Sequence, residues 1–318
     1  MRISRLDAFV LIISLIFAIF VVNKYWLDVK DKAYPDRGDW DFYIKCCNHM
    51  PPQEYPLIPT MLHLINMVVV NPIISVLALT LLAYSFIFFF MYKLTFTLTN
   101  NKWFGLLGFT LIILSTRLLP VATALKNLFG IGFLLYTLTI LTYYQKRRSK
   151  PLLFALAIGF TLTLLSHSLP IFALMVISAL YLIHFNHDDF KAVFFPVGLY
   201  TLMGLLMFVT LSFTNRLYKF NYLFSSFTPS TIIYNWNRLS YAFGLWPYLQ
   251  LFIISFAQVV IYQFLTKKFK PMLTGMLLSL VVLFFCGPYQ YASRFHANAI
   301  PLLIVTFIWS TYLVLWRS

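Results

Sequence analysis

Charge is what this chain has least of. Asp, Glu, Lys and Arg make up 10% of its 318 residues, against 61% hydrophobic and 19% aromatic residues. Soluble domains carry roughly 25% charged and 45–50% apolar residues, so an ordinary water-soluble fold is excluded. Acids are scarcer still, nine against 24 Lys and Arg. The resulting net charge of +15 is not read as a nucleic-acid footprint, because the basic residues sit at the ends of apolar runs. A glycine-rich phosphate loop is missing, and with it the usual mark of a nucleotide-binding fold. The first apolar run, in "MRISRLDAFVLIISLIFAIFVVNKYW", is followed by bulky residues and no small-x-small cleavage site. An uncleaved first span is therefore expected.

What remains is a series of apolar runs of about 17 to 22 residues, each matched to the roughly 30 Å core of a bilayer. Hydropathy places spans near 7–22, 73–92, 103–119, 127–144, 152–166, 170–185, 193–213, 245–265, 271–286 and 297–316. The fold class expected is all-α: a polytopic transmembrane helical bundle of about ten spans, forming a single domain over 1–318. The segment 56–70, "PLIPTMLHLINMVVV", is apolar but bracketed by prolines and reads as a re-entrant or interfacial helix. With ten alternating spans, thirteen Lys and Arg and three acids fall on one side, including "QKRRSKP" at 145–151 and "TKKFKP" at 266–271; eleven and six fall on the other. The positive-inside rule then makes both termini cytoplasmic. Residues 23–72 form a large first outer loop, and 214–244 a second, aromatic and interfacial in character.

This topology gathers distant ionisable residues at the outer face: Asp36, Asp39, Asp41, His49 and Glu54, then Arg117, Lys126, His167, Arg238, Arg294 and His296. Ionisable groups at a membrane edge are costly unless solvated or paired, which makes them candidates for function. In "DRGDWD" a helix would put Asp36 and Asp39 on one face, whereas Pro35 and Gly38 favour a turn. A partly desolvated carboxylate can act as a general base, and two together can hold a divalent cation such as Mg or Mn. The plainer reading is a solvated loop whose acids balance Lys30, Lys32 and Arg37. His167 can be a satisfied interfacial histidine, or can bind a metal or a phosphate-bearing ligand. Arg117, Lys126 and Arg294 can snorkel to headgroups or recognise phosphate. Cys46 and Cys47 admit three states: free thiols, a disulfide from one of them to Cys286, or ligation of zinc through the weak "CCNH" pattern.

The order of these features resembles the GT-C superfamily of integral membrane glycosyltransferases, which includes the protein O-mannosyltransferase and ArnT-like families. The residues that carry the resemblance are "DRGDWDFY" after the first span, then "EYPLIPTMLHLINMVVVNPIISVLAL". "LSTRLLPVATALKNLFGIGFLL", "LLSHSLPIFAL" and "GPYQYASRFHANAIPLLIV" follow in order. It covers residues 1–190 well and the rest loosely. The resemblance implies inverting transfer of a sugar from a polyprenyl-phosphate donor to a lipid, glycan or protein acceptor, with no nucleic-acid partner. The site would face the extracytoplasmic side of the cell membrane, or the lumen of the endoplasmic reticulum. It further implies Asp39 as the catalytic base, with Asp41 and Asp36 beside it, and Arg294, Lys126 and Arg117 at the donor phosphate. His167, Glu54 and Tyr55 would contact a metal or substrate. Where the family often has an acid after the lysine, this chain has Asn127. No WWDYG-like motif occurs in these residues, and the large soluble C-terminal domain of oligosaccharyltransferases is not expected. Competing expectations are a transporter or flippase for a lipid-linked or anionic substrate, a polysaccharide polymerase or ligase, and a non-catalytic membrane subunit.

Overall fold

A computed structural model describes residues 4–30, 40–48, 57–115, 125–166, 170, 173–174, 176–177, 228–241, 246–268, 270–285 and 292–316. Among these residues the regular structure is helical throughout, with no strand. The helices are α1 (Arg5–Val29), α2 (Trp40–Asn48), α3 (Leu57–Val69), α4 (Pro72–Thr99), α5 (Lys102–Leu114), α6 (Leu125–Lys146) and α7 (Lys150–Ser166), followed by α8 (Pro229–Tyr241), α9 (Trp246–Thr266), α10 (Pro271–Phe285) and α11 (Ala292–Trp316).

Among the described residues, five segments are long and apolar enough to cross a membrane: Arg5–Lys24, Pro72–Thr99, Leu125–Lys146, Trp246–Thr266 and Asn298–Trp316. Helices α5, α7 and α10 also fall on expected spans, but their 13, 17 and 15 residues reach only about 20 to 26 Å. The expected spans at 170–185 and 193–213 lie outside the described residues, apart from a few positions of the first. The proline-bracketed segment 56–70 is helical as α3, and its 13 residues are too few for a full span.

Local sequence explains the boundaries. Ser4 and Asp7 form a reciprocal capping box that starts α1. Val70 ends α3, Asn71 accepts hydrogen bonds from the amides of Ile73 and Ile74, and Pro72 opens α4 where a missing N–H costs nothing. At its other end Asn100 closes α4 in the left-handed conformation, and Asn101 caps α5.

Contacts between helices define two ends of the bundle. At the base, where α1 begins, Lys146 donates to the Thr97 carbonyl at 2.6 Å, Thr142 meets Met272, and Phe104 packs on Tyr312 and Trp316. At the head, Tyr248 donates to Ser115 at 2.9 Å, joining the start of α9 to the end of α5. Helix α4 is the central strut and touches α1, α2, α3, α5, α6 and α11. The apolar window of α6 is 89% buried and that of α1 or α9 only 28%, so α6 is interior while α1 and α9 turn Ile and Phe outward. Glycines permit the tight contacts: a Cβ on Gly108 would stand 2.6 Å from the Thr95 hydroxyl, and one on Gly159 2.5 Å from that of Thr137. Buried threonines such as Thr80, Thr97, Thr139 and Thr142 donate to the carbonyl four residues back, so they need no partner on another helix.

Hydropathy ends the second span at residue 92, before Lys93, yet α4 continues to Thr99. Lys93 is not a solvated flank. Its Nζ lies 2.9 Å from Asp7 Oδ1, and the side chains are 3% and 6% exposed. The ion pair neutralises a cation that would otherwise end the apolar segment, and it fixes the register of α1 on α4.

Candidate functional site

At the head, as at the base, polar side chains bond from one helix to another. Helix α2 lies across the head ends of α3, α4 and α6 and is held there by a chain of hydrogen bonds. Two of the donors come from α3: His63 donates from Nδ1 to the Cys47 carbonyl at 3.0 Å, and Asn66 donates to the same oxygen at 3.4 Å. These bonds satisfy a carbonyl that the end of a helix leaves open. Ser75 on α4 donates to Asn66 Oδ1 at 3.3 Å, which extends the network to the next helix. The Cys47 thiol points at the Pro72 carbonyl, 3.7 Å away.

Cys46 and Cys47 are both free thiols and both buried. Neither is in a disulfide, and neighbouring positions on a helix diverge by about 100°, so the pair does not converge on one metal. Among the described residues no three His, Cys, Asp or Glu side chains gather to hold a metal ion. Burial pushes the Cys46 thiol up, partly offset by the Lys126 cation. Burial, reinforced by Cys46, pushes Cys47 up to about 11.

Lys126 is where the acid-bearing segment meets the bundle. Its Nζ lies 4.9 Å from the centre of the Phe42 ring, and its backbone N–H donates to the Tyr43 hydroxyl at 3.3 Å. Asp41, half-buried, occupies the first turn of α2 beside these two aromatics. The structure thus brings two of the expected site residues, Asp41 and Lys126, onto touching helices. Asp36, Asp39, Glu54, Tyr55, Arg117 and His167 lie outside the described residues, as does His49. The donor set expected for a Mg or Mn ion falls among them.

Arg294 and His296, expected in a loop before the last span, instead belong to α11, whose first turns extend toward the head. The side chain of Arg294 lies outside the described residues. His296 is 2% exposed and donates to the Phe284 carbonyl at 3.1 Å, while Asn235 on α8 donates to the Phe285 carbonyl at 3.0 Å. Two orphan carbonyls at the end of α10 are thereby capped from different helices, and that bonding draws the start of α11 into the bundle. Pro301, two turns into α11, cannot donate to the Ala297 carbonyl and separates this polar start from the apolar remainder.

Asn127 stands out in the sequence only as the place of a missing acid; the structure gives it a different significance. It is 3% exposed, and neither its Oδ1 nor its Nδ2 has a hydrogen-bond partner. An orphaned buried amide costs about 1–3 kcal/mol. A polar residue within an apolar segment, directly after a lysine, was the available signal.

Beside this head cluster runs a groove of about 300 Å³ between α1 and α4, lined by Ile19, Val22, Asn23, Trp26, Ile74, Leu77, Ala78 and Leu81. It is apolar except at Asn23 and the Trp26 indole. In comparisons with known proteins, no family model, curated protein or solved structure matches the chain.

Proposed function

We propose that the chain is an integral membrane glycosyltransferase that moves a sugar from a polyprenyl-phosphate donor to an acceptor hydroxyl at the extracytoplasmic face. The observation that carries this reading is the docking of the acid-bearing helix α2 onto the head of α6 at Lys126. A cation and the Asp41 carboxylate on touching helices at one end of an apolar bundle match the chemistry of a lipid-phosphate sugar.

The acceptor oxygen attacks the anomeric carbon as the bond from that carbon to the phosphate oxygen breaks, which inverts the centre. Asp39, next to the first residue of α2, takes the acceptor proton, with Asp41 and Asp36 as neighbouring acids. Lys126, joined by Arg294 and Arg117, offsets the charge that grows on the departing phosphate. The groove between α1 and α4 offers the lipid tail an apolar bed.

The basic stretches at the base, "QKRR" and "TKK", support placing the base in the cytoplasm and the head outside. Asp39→Asn is expected to abolish transfer while leaving expression and insertion intact, as measured by release of polyprenyl phosphate from a labelled donor. Full transfer in that variant would remove Asp39 as the base. Full transfer in the Asp36, Asp39 and Asp41 triple Asp→Asn variant would remove carboxylate catalysis altogether.

A further inference from the structure

Asn127 is the third residue of α6, where Cα–Cβ bonds lean toward the helix N-terminus and thus toward the head. With about 100° between successive residues, it shares a stripe with Ile131, Leu134, Leu138 and Thr142, all buried. Thr142 meets Met272 on α10, so the stripe faces the bundle interior. Lys126, one position back, faces α2 and Phe42 instead. Consecutive residues at the head of α6 thus present a cation toward one side and an unpartnered carboxamide toward the interior.

Among the described residues, many buried polar groups in the core are answered. Threonine hydroxyls bond to their own helices, and Gln258 is bonded to Ser310 and Thr311. Asn127 combines near-complete burial with an amide donor and acceptor that both lack a hydrogen-bond partner, on a helix end that also carries a cation. A phosphate would satisfy only its Nδ2, because phosphate oxygens accept. A hydroxyl both donates and accepts, so vicinal hydroxyls suit both ends of the amide.

We propose that the Asn127 carboxamide binds hydroxyl groups of the sugar on the lipid-linked donor, while Lys126 meets its phosphate. This rests on the function proposed above. Unlike a single metal ion, a sugar phosphate is large enough to be met from two directions, so its two parts can be recognised by side chains that leave the same helix end about 100° apart. The side chain is a substrate-positioning group that sets selectivity for the sugar-loaded over the sugar-free lipid.

The test uses the purified full chain in lipid nanodiscs. Its ligands are polyprenyl phosphate and a panel of polyprenyl-phosphate hexoses, pentoses and N-acetylhexosamines, with affinity read by thermal shift. Asn127→Leu is expected to melt higher than wild type without ligand, because it removes an orphaned amide. It should lose about tenfold or more in affinity for the preferred sugar-loaded lipid while binding polyprenyl phosphate as before. Asn127→Ala should show the same selective loss and serves if the leucine variant does not fold. Unchanged affinity for the sugar-loaded lipid in either folded variant overturns the proposal and assigns the amide to an ordered water. Equal loss for both lipids also overturns it, because the amide would then be a phosphate or structural group. Wild type that binds no member of the panel removes the proposed function, and this inference falls with it.

Discussion

Val70 holds the backbone at φ 55°, a left-handed conformation in which a β-branched side chain crowds the neighbouring peptide. Its amide still closes α3 by donating to the Asn66 carbonyl at 2.8 Å, and the side chain is 81% exposed. Glycine adopts this conformation freely and little packing would be lost. Val70→Gly is therefore expected to stabilise the protein by about 1 kcal/mol, seen as a higher melting temperature in detergent; a lower one would show that the side chain is needed where it stands. The thiols at the other end of the cluster behave oppositely to reactive cysteines. The Cys47 value is raised above its ordinary 9.0 to about 11, so the stability that its neutral form contributes is complete below pH 9 and lost as pH rises toward 11. Alkylation of folded protein at pH 7.5 should leave Cys46 and Cys47 unmodified, and denaturation should expose them. Rapid labelling of the folded chain would contradict their burial. Nothing in "CCNH" distinguishes a packed thiol from a ligand, because the spacing is the same for both.

At the level of elements, apolar runs located the helices well but missed where some of them end. The second span is a clear case: Lys93 marks its end by hydropathy, and only the pairing with a residue 86 positions away lets α4 carry it inside. Sequence holds no local signal for so distant a partner. Asp7→Asn leaves the buried ammonium uncompensated and is expected to cost about 3–5 kcal/mol, whereas adding Lys93→Met should recover most of that loss. Yield and melting of the two variants in detergent decide it, and a stable single variant would show that the pair is dispensable. The start of α11 was missed for a related reason. His296 looked like a loop residue until its bond to the end of α10 was visible. By contrast, "VNP" was punctuation that could be read directly, since asparagine caps and proline opens a helix by local geometry.

At the scale of the molecule, the helical character of the described residues and the presence of segments long and apolar enough to cross a membrane were legible from the apolar runs. Sequence also singled out Lys126 and Asp41, though not the aromatic contacts through Phe42 and Tyr43 that bring α2 to α6. The arrangement separates two zones: a base rich in Lys and Arg, closed by the Asp7–Lys93 pair, and a head where α2, α3, α6, α8 and α11 contribute polar groups. A transporter would carry its substrate between those zones, whereas a transferase works at the head and breaks a bond there. The most direct discrimination comes from proteoliposomes that contain the purified chain and labelled polyprenyl-phosphate sugars on the head side. The account predicts that one donor class is consumed, leaving polyprenyl phosphate and a product with the inverted anomeric centre. Labelled lipid that crosses the bilayer with its sugar–phosphate bond intact would contradict it.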